Sequence, residues 1–374
     1  MHIQGFHDFK FEAVREAFAD LFNDPQERGA ALCIQIAGET VLDLWAGTAD
    51  KDGEQAWHTD TIVNLFSCTK TFTAVTALQL VEEGKLALDT PVAQYWPEFA
   101  AAGKESITLR QLLSHRAGLP ALRESMPADA LYEWQTMVDA LAAEAPWWTP
   151  GEGHGYAAIT YGWLLGELIR RADGRSAGHS IVARTAKPLG LDFHVGLADE
   201  EFHRVAHIAR SKGNMGDAAA QRLLKAMMTE PLSMTTRAFA NPPSIMTSTN
   251  KPEWRRMEQP AANGHGNARS LAGFYSGLLP KALSGSLLAL ALAGLGAGSL
   301  WLPANLALGL LALVLLLGAA YIWWACRKVP QHWIEFEALV AQEQARRASL
   351  YRWLALFAEV PQQIPPIKRR AYLD

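Results

Sequence analysis

Apolar residues recur at helical spacing over residues 11–23, where Phe11, Val14, Phe18 and Leu21 share one face. Two apolar runs follow, 31–37 and 40–45, separated by Gly38-Glu39. A two-residue glycine turn between such runs predicts a β-hairpin. Residues 61–66 are apolar and partly β-branched, the helical period returns over 71–83, and Gly84 ends it. The segment 84–91 predicts a turn into a second helix. Thr108-Leu-Arg-Gln111 has the spacing of a capping box and opens a short helix that closes around Gly118-Leu-Pro120. A Gly/Pro-rich loop at 147–155 predicts a helix beginning at Tyr156, on which Gly162 and Gly166 form a small face for close approach. A helical connector with several methionines spans roughly 215–250, and Asn263-Gly-His-Gly266 turns into a helix through Leu279.

Residues 282–326 have a different character: 45 residues without one charge, divided by Pro303-Ala-Asn305. Each half, 283–302 and 306–325, is about 20 residues, enough to cross a hydrocarbon core of roughly 30 Å. Trp301, Tyr321, Trp323 and Trp324 lie near the ends, and Lys281 and Arg327-Lys328 flank the stretch. The pattern predicts a membrane-spanning helical hairpin with both outer ends on the cytoplasmic side. A buried pair of helices in a soluble core is the alternative. Residues 333–357 then read as an amphipathic helix, followed by the basic Lys368-Arg-Arg370.

Charge sharpens this division. The formal net charge is −4, with residues 1–280 carrying 25 basic and 33 acidic side chains and residues 327–374 carrying 8 and 5. An acidic body without a basic stripe argues against a nucleic-acid partner. The three cysteines, Cys33, Cys68 and Cys326, have no framework or metal-ligand spacing, and Cys33 and Cys68 read as packing residues. The first ten residues lack an apolar signal core, so the body is expected to face the cytoplasm.

Ser67-Cys68-Thr69-Lys70 places a hydroxyl and an amine three residues apart at the start of a helix, on neighbouring faces one turn apart. A desolvated lysine can take a serine proton, and S-x-x-K is a known catalytic pattern. Taken alone, the four residues fit a serine N-cap and a solvated lysine better than a catalytic pair. Tyr156, after the Pro-Gly loop, is another phenol that a fold could hold against this pair or bury as a core aromatic.

Together these segments resemble the serine β-lactamase superfamily, which includes penicillin-binding proteins and the family VIII carboxylesterases. S-x-x-K at 67–70, Gly84-Lys-Leu-Ala-Leu-Asp-Thr-Pro91, Leu112-Leu-Ser-His-Arg-Ala-Gly-Leu-Pro120 and the P-G-x-x-x-x-Y element ending at Tyr156 occur in the family's order and spacing. The resemblance covers roughly residues 10–280, and residues 155–168 look closest to the esterase branch. It implies an α+β fold, a helical domain with an antiparallel sheet, for a hydrolase domain over 1–280; the charge and apolar pattern adds the hairpin over 281–328 and an amphipathic helix and basic tail over 329–374. The resemblance implies Ser67 as nucleophile, Lys70 as its base, Tyr156 as general acid–base, and the Ser67 N–H as one oxyanion donor. No cofactor and no metal are implied.

Two departures bear on function. Where β-lactamases continue Tyr-x-Asn, this chain has Tyr156-Ala-Ala158, and losing the amide favours a small ester over an antibiotic. The family's third element, Lys-Thr-Gly or a His/Trp-Gly variant on a late strand, normally supplies the second oxyanion donor, yet the resemblance stops near Leu279. His154-Gly155 and His265-Gly266 are the only His-Gly pairs, and both read as loop or capping residues. On this reading the sheet is reduced to the hairpin over 31–45, which would leave apolar surface uncovered. The leading expectation is a membrane-held carboxylesterase acting on a small-molecule ester. An inactive binding or scaffold relative, and a β-lactamase or D-Ala-D-Ala peptidase, are the alternatives.

Overall fold

The computed structural model describes residues 2–209 and 218–278, within the first of the chain's two units, 1–282. The expected hairpin at 282–326, Cys326 and the basic tail lie outside the described residues. Among the described residues no helix is long and apolar enough to cross a membrane.

The chain opens with β1 (Gln4–His7) and α1 (Glu12–Asp20), then the hairpin β2 (Gly29–Ile36) and β3 (Glu39–Gly47). The hairpin turn is Ala37-Gly38, both at positive φ (52° and 86°), the backbone a two-residue turn needs to match strand twist. Strand β3 is central: Leu44 faces Leu32 of β2 on one side and Gly5 of β1 on the other, giving the order β1-β3-β2. The sheet therefore has a third strand beyond the expected pair. Alternation along β3 sorts its two faces. Leu42, Leu44 and Ala46 are buried with Phe18 of α1, while Asp43 turns the other way, 3.3 Å from Arg269. Helices thus cover apolar surface that a bare hairpin would leave exposed.

After β4 (Val63–Asn64), α2 (Thr69–Glu82) runs through the interior. Glycine at position 84, φ 71°, ends it. The expected second helix is instead two 3-10 stretches, 92–94 and 97–103, each following a proline region that interrupts longer helix. Helix α3 (Leu109–Leu113) has the full capping box, Thr108 accepting from Gln111 N–H and the Gln111 side chain accepting from Thr108 N–H. Helices α4 (Trp134–Ala143) and α5 (Thr160–Asp173) complete the larger core with α2, and α6 (Ala177–Ile181) leads into β5 (Phe193–His194). Helices α7 (Ala218–Thr229), α8 (Met234–Ala240) and α9 (Pro252–Arg256) follow, then β6 (His265–Gly266) and α10 (Ala268–Leu278). Strands β4, β6 and β5 pair in that order as a second small sheet.

The Phe72 ring of α2 is sandwiched between Phe193 of β5 and Phe274 of α10, both centroids 3.7 Å away. This stack ties the helix that carries Lys70 and follows Ser67 to the small sheet and to α10. Phe72 is fully buried. Phe72→Ala is therefore expected to lower unfolding stability by about 3–5 kcal/mol in urea melts, the range for a large buried aromatic truncated to alanine.

Candidate active site

Ser67 sits in the turn just before α2, and Phe66 ahead of it takes φ 46°, uncommon for a side chain of that size. Ser67 is exposed and caps nothing; Cys68 occupies the N-cap position with no side-chain cap. Cys68 is itself exposed, against the expectation of a packing residue. Cys33 is half-buried, and burial pushes its thiol up to about 11. The Ser67 N–H makes no backbone–backbone hydrogen bond among the described residues.

One turn further, Lys70 is 7% exposed. Its Nζ lies 3.2 Å from Ser67 Oγ, 2.8 Å from the Ala158 carbonyl and 2.9 Å from the Ala261 carbonyl. Burial brings its pKa down to about 7. Tyr156 Oη donates to Ser67 Oγ at 2.8 Å, and the Tyr156 ring lies 4.8 Å from Nζ. The hydroxyl, the amine and the phenol named from the sequence therefore converge.

A neutral amine has two N–H donors and one lone pair. With the two donors fixed on the carbonyls, the lone pair is left facing Ser67 Oγ. The serine hydroxyl can then accept from the phenol and donate to the amine at the same time.

The two carbonyls were not foreseeable, because every residue has one; what delivers them is local packing. Ala158 lies between Tyr156 and the start of α5, so the helix begins at Thr160 and not at Tyr156. Ala261 sits in a turn fixed by buried amides. Asn263 Oδ1 accepts from Gln259 N–H at 2.8 Å, its Nδ2 donates to the Trp254 and Met257 carbonyls, and Thr73 Oγ1 donates to the Pro260 carbonyl at 2.6 Å. This turn reaches Lys70 only because α5 carries glycine at 162, where a Cβ would fall 1.7 Å from Gln259 Oε1 and 2.8 Å from Ala261 N. Gly162 and Gly166 thus admit close neighbours, as their spacing suggested.

Neither His-Gly pair is among the residues that line the cleft beside Ser67. His265 is fully buried on β6 with its pKa pushed by burial down to about 4, and His154 belongs to the loop before Tyr156. Beside Ser67 opens a cleft of about 380 Å³, whose walls include Phe66, Ile159, Ile208, Phe239, Ile245 and Trp254 together with the polar Thr247, Thr249 and Asn250. Among the described residues no group of three or more His, Cys, Asp or Glu is placed to hold a metal.

Residues 14–315 match the Beta-lactamase family, and residues 277–374 match Bacterial ABC transporter protein EcsB. The first match runs beyond Leu279, where the recognisable motifs stop. Esterase/beta-lactamase LipL of Mycobacterium tuberculosis is 33% identical over 73% of this chain, which spans 64% of LipL, less than two thirds of that relative. A penicillin-binding protein homologue from Caulobacter crescentus has a similar structure, with TM-score 0.63 and 38% identity over 71% of this chain and 68% of its own. A family VIII carboxylesterase has TM-score 0.62 and 38% identity over 74% of this chain and 71% of its own.

Because a methyl group at position 162 has no room, Gly162→Ala is expected to cost about 1–3 kcal/mol of stability by urea denaturation. It should also raise the Lys70 pKa by pushing the Ala261 turn outwards. An unchanged melt would show the turn to be more pliant than its packing implies.

Proposed function

The chain belongs to the β-lactamase family, and on that premise we propose that it is a serine hydrolase cleaving small carboxylic esters through an acyl-enzyme on Ser67. One observation carries the reading: Ser67 Oγ lies between the Tyr156 phenol at 2.8 Å and the Lys70 amine at 3.2 Å. Neutral Lys70 takes the Ser67 proton as Oγ bonds to the ester carbonyl carbon, and the oxyanion meets the Ser67 N–H. The C–O bond to the alcohol then breaks, and the departing alkoxide receives a proton through the Tyr156 side, with Lys70 holding the balancing charge. Water repeats the sequence in reverse on the acyl-enzyme and releases the acid.

The ester, as opposed to a β-lactam or peptide, is favoured by the walls of the cleft and by Ala158, which brings a main-chain carbonyl to the amine and no side-chain amide to a substrate. The esterase names of LipL and of the family VIII structure support the same choice. We also infer that residues 282–326 hold the chain at a membrane with the body on the cytoplasmic side. The uncharged stretch supports this, as does the match of 277–374 to an ABC transporter protein. Protease treatment of intact and opened cells tests it: cleavage of the body in intact cells would contradict it.

The outer edge of β2 is unpaired among the described residues. That favours, as a second reading, an inactive relative that binds without turnover. Fluorophosphonate labelling and turnover of a short-chain p-nitrophenyl ester by detergent-solubilised protein decide between the two. Labelling should vanish in Ser67→Ala, and Tyr156→Phe should lower kcat by about 10²–10⁴. Labelling that survives Ser67→Ala removes the proposed nucleophile, and a folded protein with no turnover supports the inactive reading.

The pH dependence has a definite sign. Lys70 acts as a base only after losing its proton, so kcat/KM should rise as pH increases through about 7. A profile flat from about pH 6 to 8, then rising near the ordinary lysine value of about 10.4, would contradict a depressed Lys70.

A further inference from the structure

The run Leu112-Leu-Ser-His-Arg-Ala-Gly-Leu-Pro120 marks the family, yet the chemistry above does not use it. In the structure it is the template on which the Tyr156 loop is laid. Trp147 N–H donates to the Gly118 carbonyl at 2.8 Å, Gly151 N–H to that of Arg116 at 2.8 Å, and Gly155 N–H to that of His115 at 3.2 Å. Glycine at 118, with φ 77°, permits this contact: a Cβ there would meet the Trp148 carbonyl oxygen at 2.7 Å.

The ladder ends on a side chain. Ala157 N–H donates to His115 Nδ1 at 3.2 Å. Position 115 therefore holds the main chain on both sides of Tyr156, through its carbonyl at Gly155 and its ring at Ala157. The same ring lies 5.0 Å from the Tyr156 ring and stacks on Tyr161 at 4.8 Å. His115 manages both contacts from a left-handed backbone, φ 58°, which histidine and asparagine adopt more readily than most residues. A ring nitrogen that accepts from an amide carries no proton, so His115 is neutral with its hydrogen on Nε2. Burial agrees, pushing its pKa down to about 4.

We propose that His115 is the positioning residue for Tyr156, fixing the main chain on either side of it so that the phenol reaches Ser67 Oγ. The proposal rests on the role of Tyr156 in the ester reading, and its test separates the two. Ester turnover is measured on the full chain for wild type, His115→Leu, His115→Asn, Tyr156→Phe and the Tyr156→Phe/His115→Leu double variant. The tautomer of the His115 ring is read by ¹⁵N NMR.

His115→Leu should lower kcat by about tenfold or more while KM stays within about twofold, the signature of a contact that matters in the transition state. Asparagine should restore most of the rate, since it tolerates the left-handed backbone and offers an amide oxygen near the place of Nδ1. In the Tyr156→Phe background the leucine substitution should have little further effect. Equal losses in both backgrounds, or an asparagine variant as slow as leucine, would overturn the proposal. The NMR arm stands without turnover: a proton on Nδ1 overturns it, and a bare Nδ1 with the proton on Nε2 supports it, even if no ester is cleaved or the leucine variant fails to fold.

Discussion

A buried amine without a carboxylate partner is the constraint around which the site is arranged. Taking an ammonium out of water is unfavourable, and the neutral form gains as burial deepens. Lys70 meets this with two main-chain carbonyls and one hydroxyl. Lys104 offers a comparison within the same chain. It is also fully buried, but its three N–H groups all point at carbonyls, those of Ala101, Ala142 and Glu144. An amine with three carbonyl acceptors has no free direction for a lone pair. Replacing one carbonyl by a hydroxyl, as at Lys70, leaves a direction in which a proton can move. The glycine at 162, the Asn263 turn and the late start of α5 can all be understood as the means of placing those two carbonyls.

Much of this was legible in the sequence where the signal is local. The β2–β3 hairpin follows from alternation and Gly38, the α3 cap from Thr108 and Gln111, and the meeting of Ser67 and Lys70 from one turn of helix. Features that depend on distant chain were not legible. Strand β1, Gln4-Gly5-Phe6-His7, has one apolar residue and a glycine, and it forms because β3 offers an edge. The helix after the Pro-Gly loop starts four residues later than its pattern suggests because the 112–120 run holds the loop extended through Ala157. Main-chain acceptors carry no sequence signature, so the Ala158 and Ala261 carbonyls could be found only in the fold. Cys68 is exposed, not packed, because it stands at the N-cap of α2, outside the helix's buried stretch.

The site and the larger sheet meet through α10 within the described residues. Ser67, Lys70, Tyr156 and the Ala261 turn depend on α2, α5 and the small sheet of β4, β6 and β5, braced by the Phe72 stack. The β1-β3-β2 sheet is covered by α1 on one face and met by α10 on the other. Helix α10, which stacks on Phe72 of α2 and packs on β2, joins the Ser67 and Lys70 region to the larger sheet.

The claim that the amine is uncharged when it faces the serine is tested most directly by titrating Lys70 itself. NMR of protein carrying ¹³C at the lysine ε-carbon, assigned by comparison with Lys70→Met, follows the protonation of that side chain alone. A midpoint near 7 is the value that its burial predicts. A midpoint close to the solution value of about 10.4 would show a solvated ammonium and contradict the account.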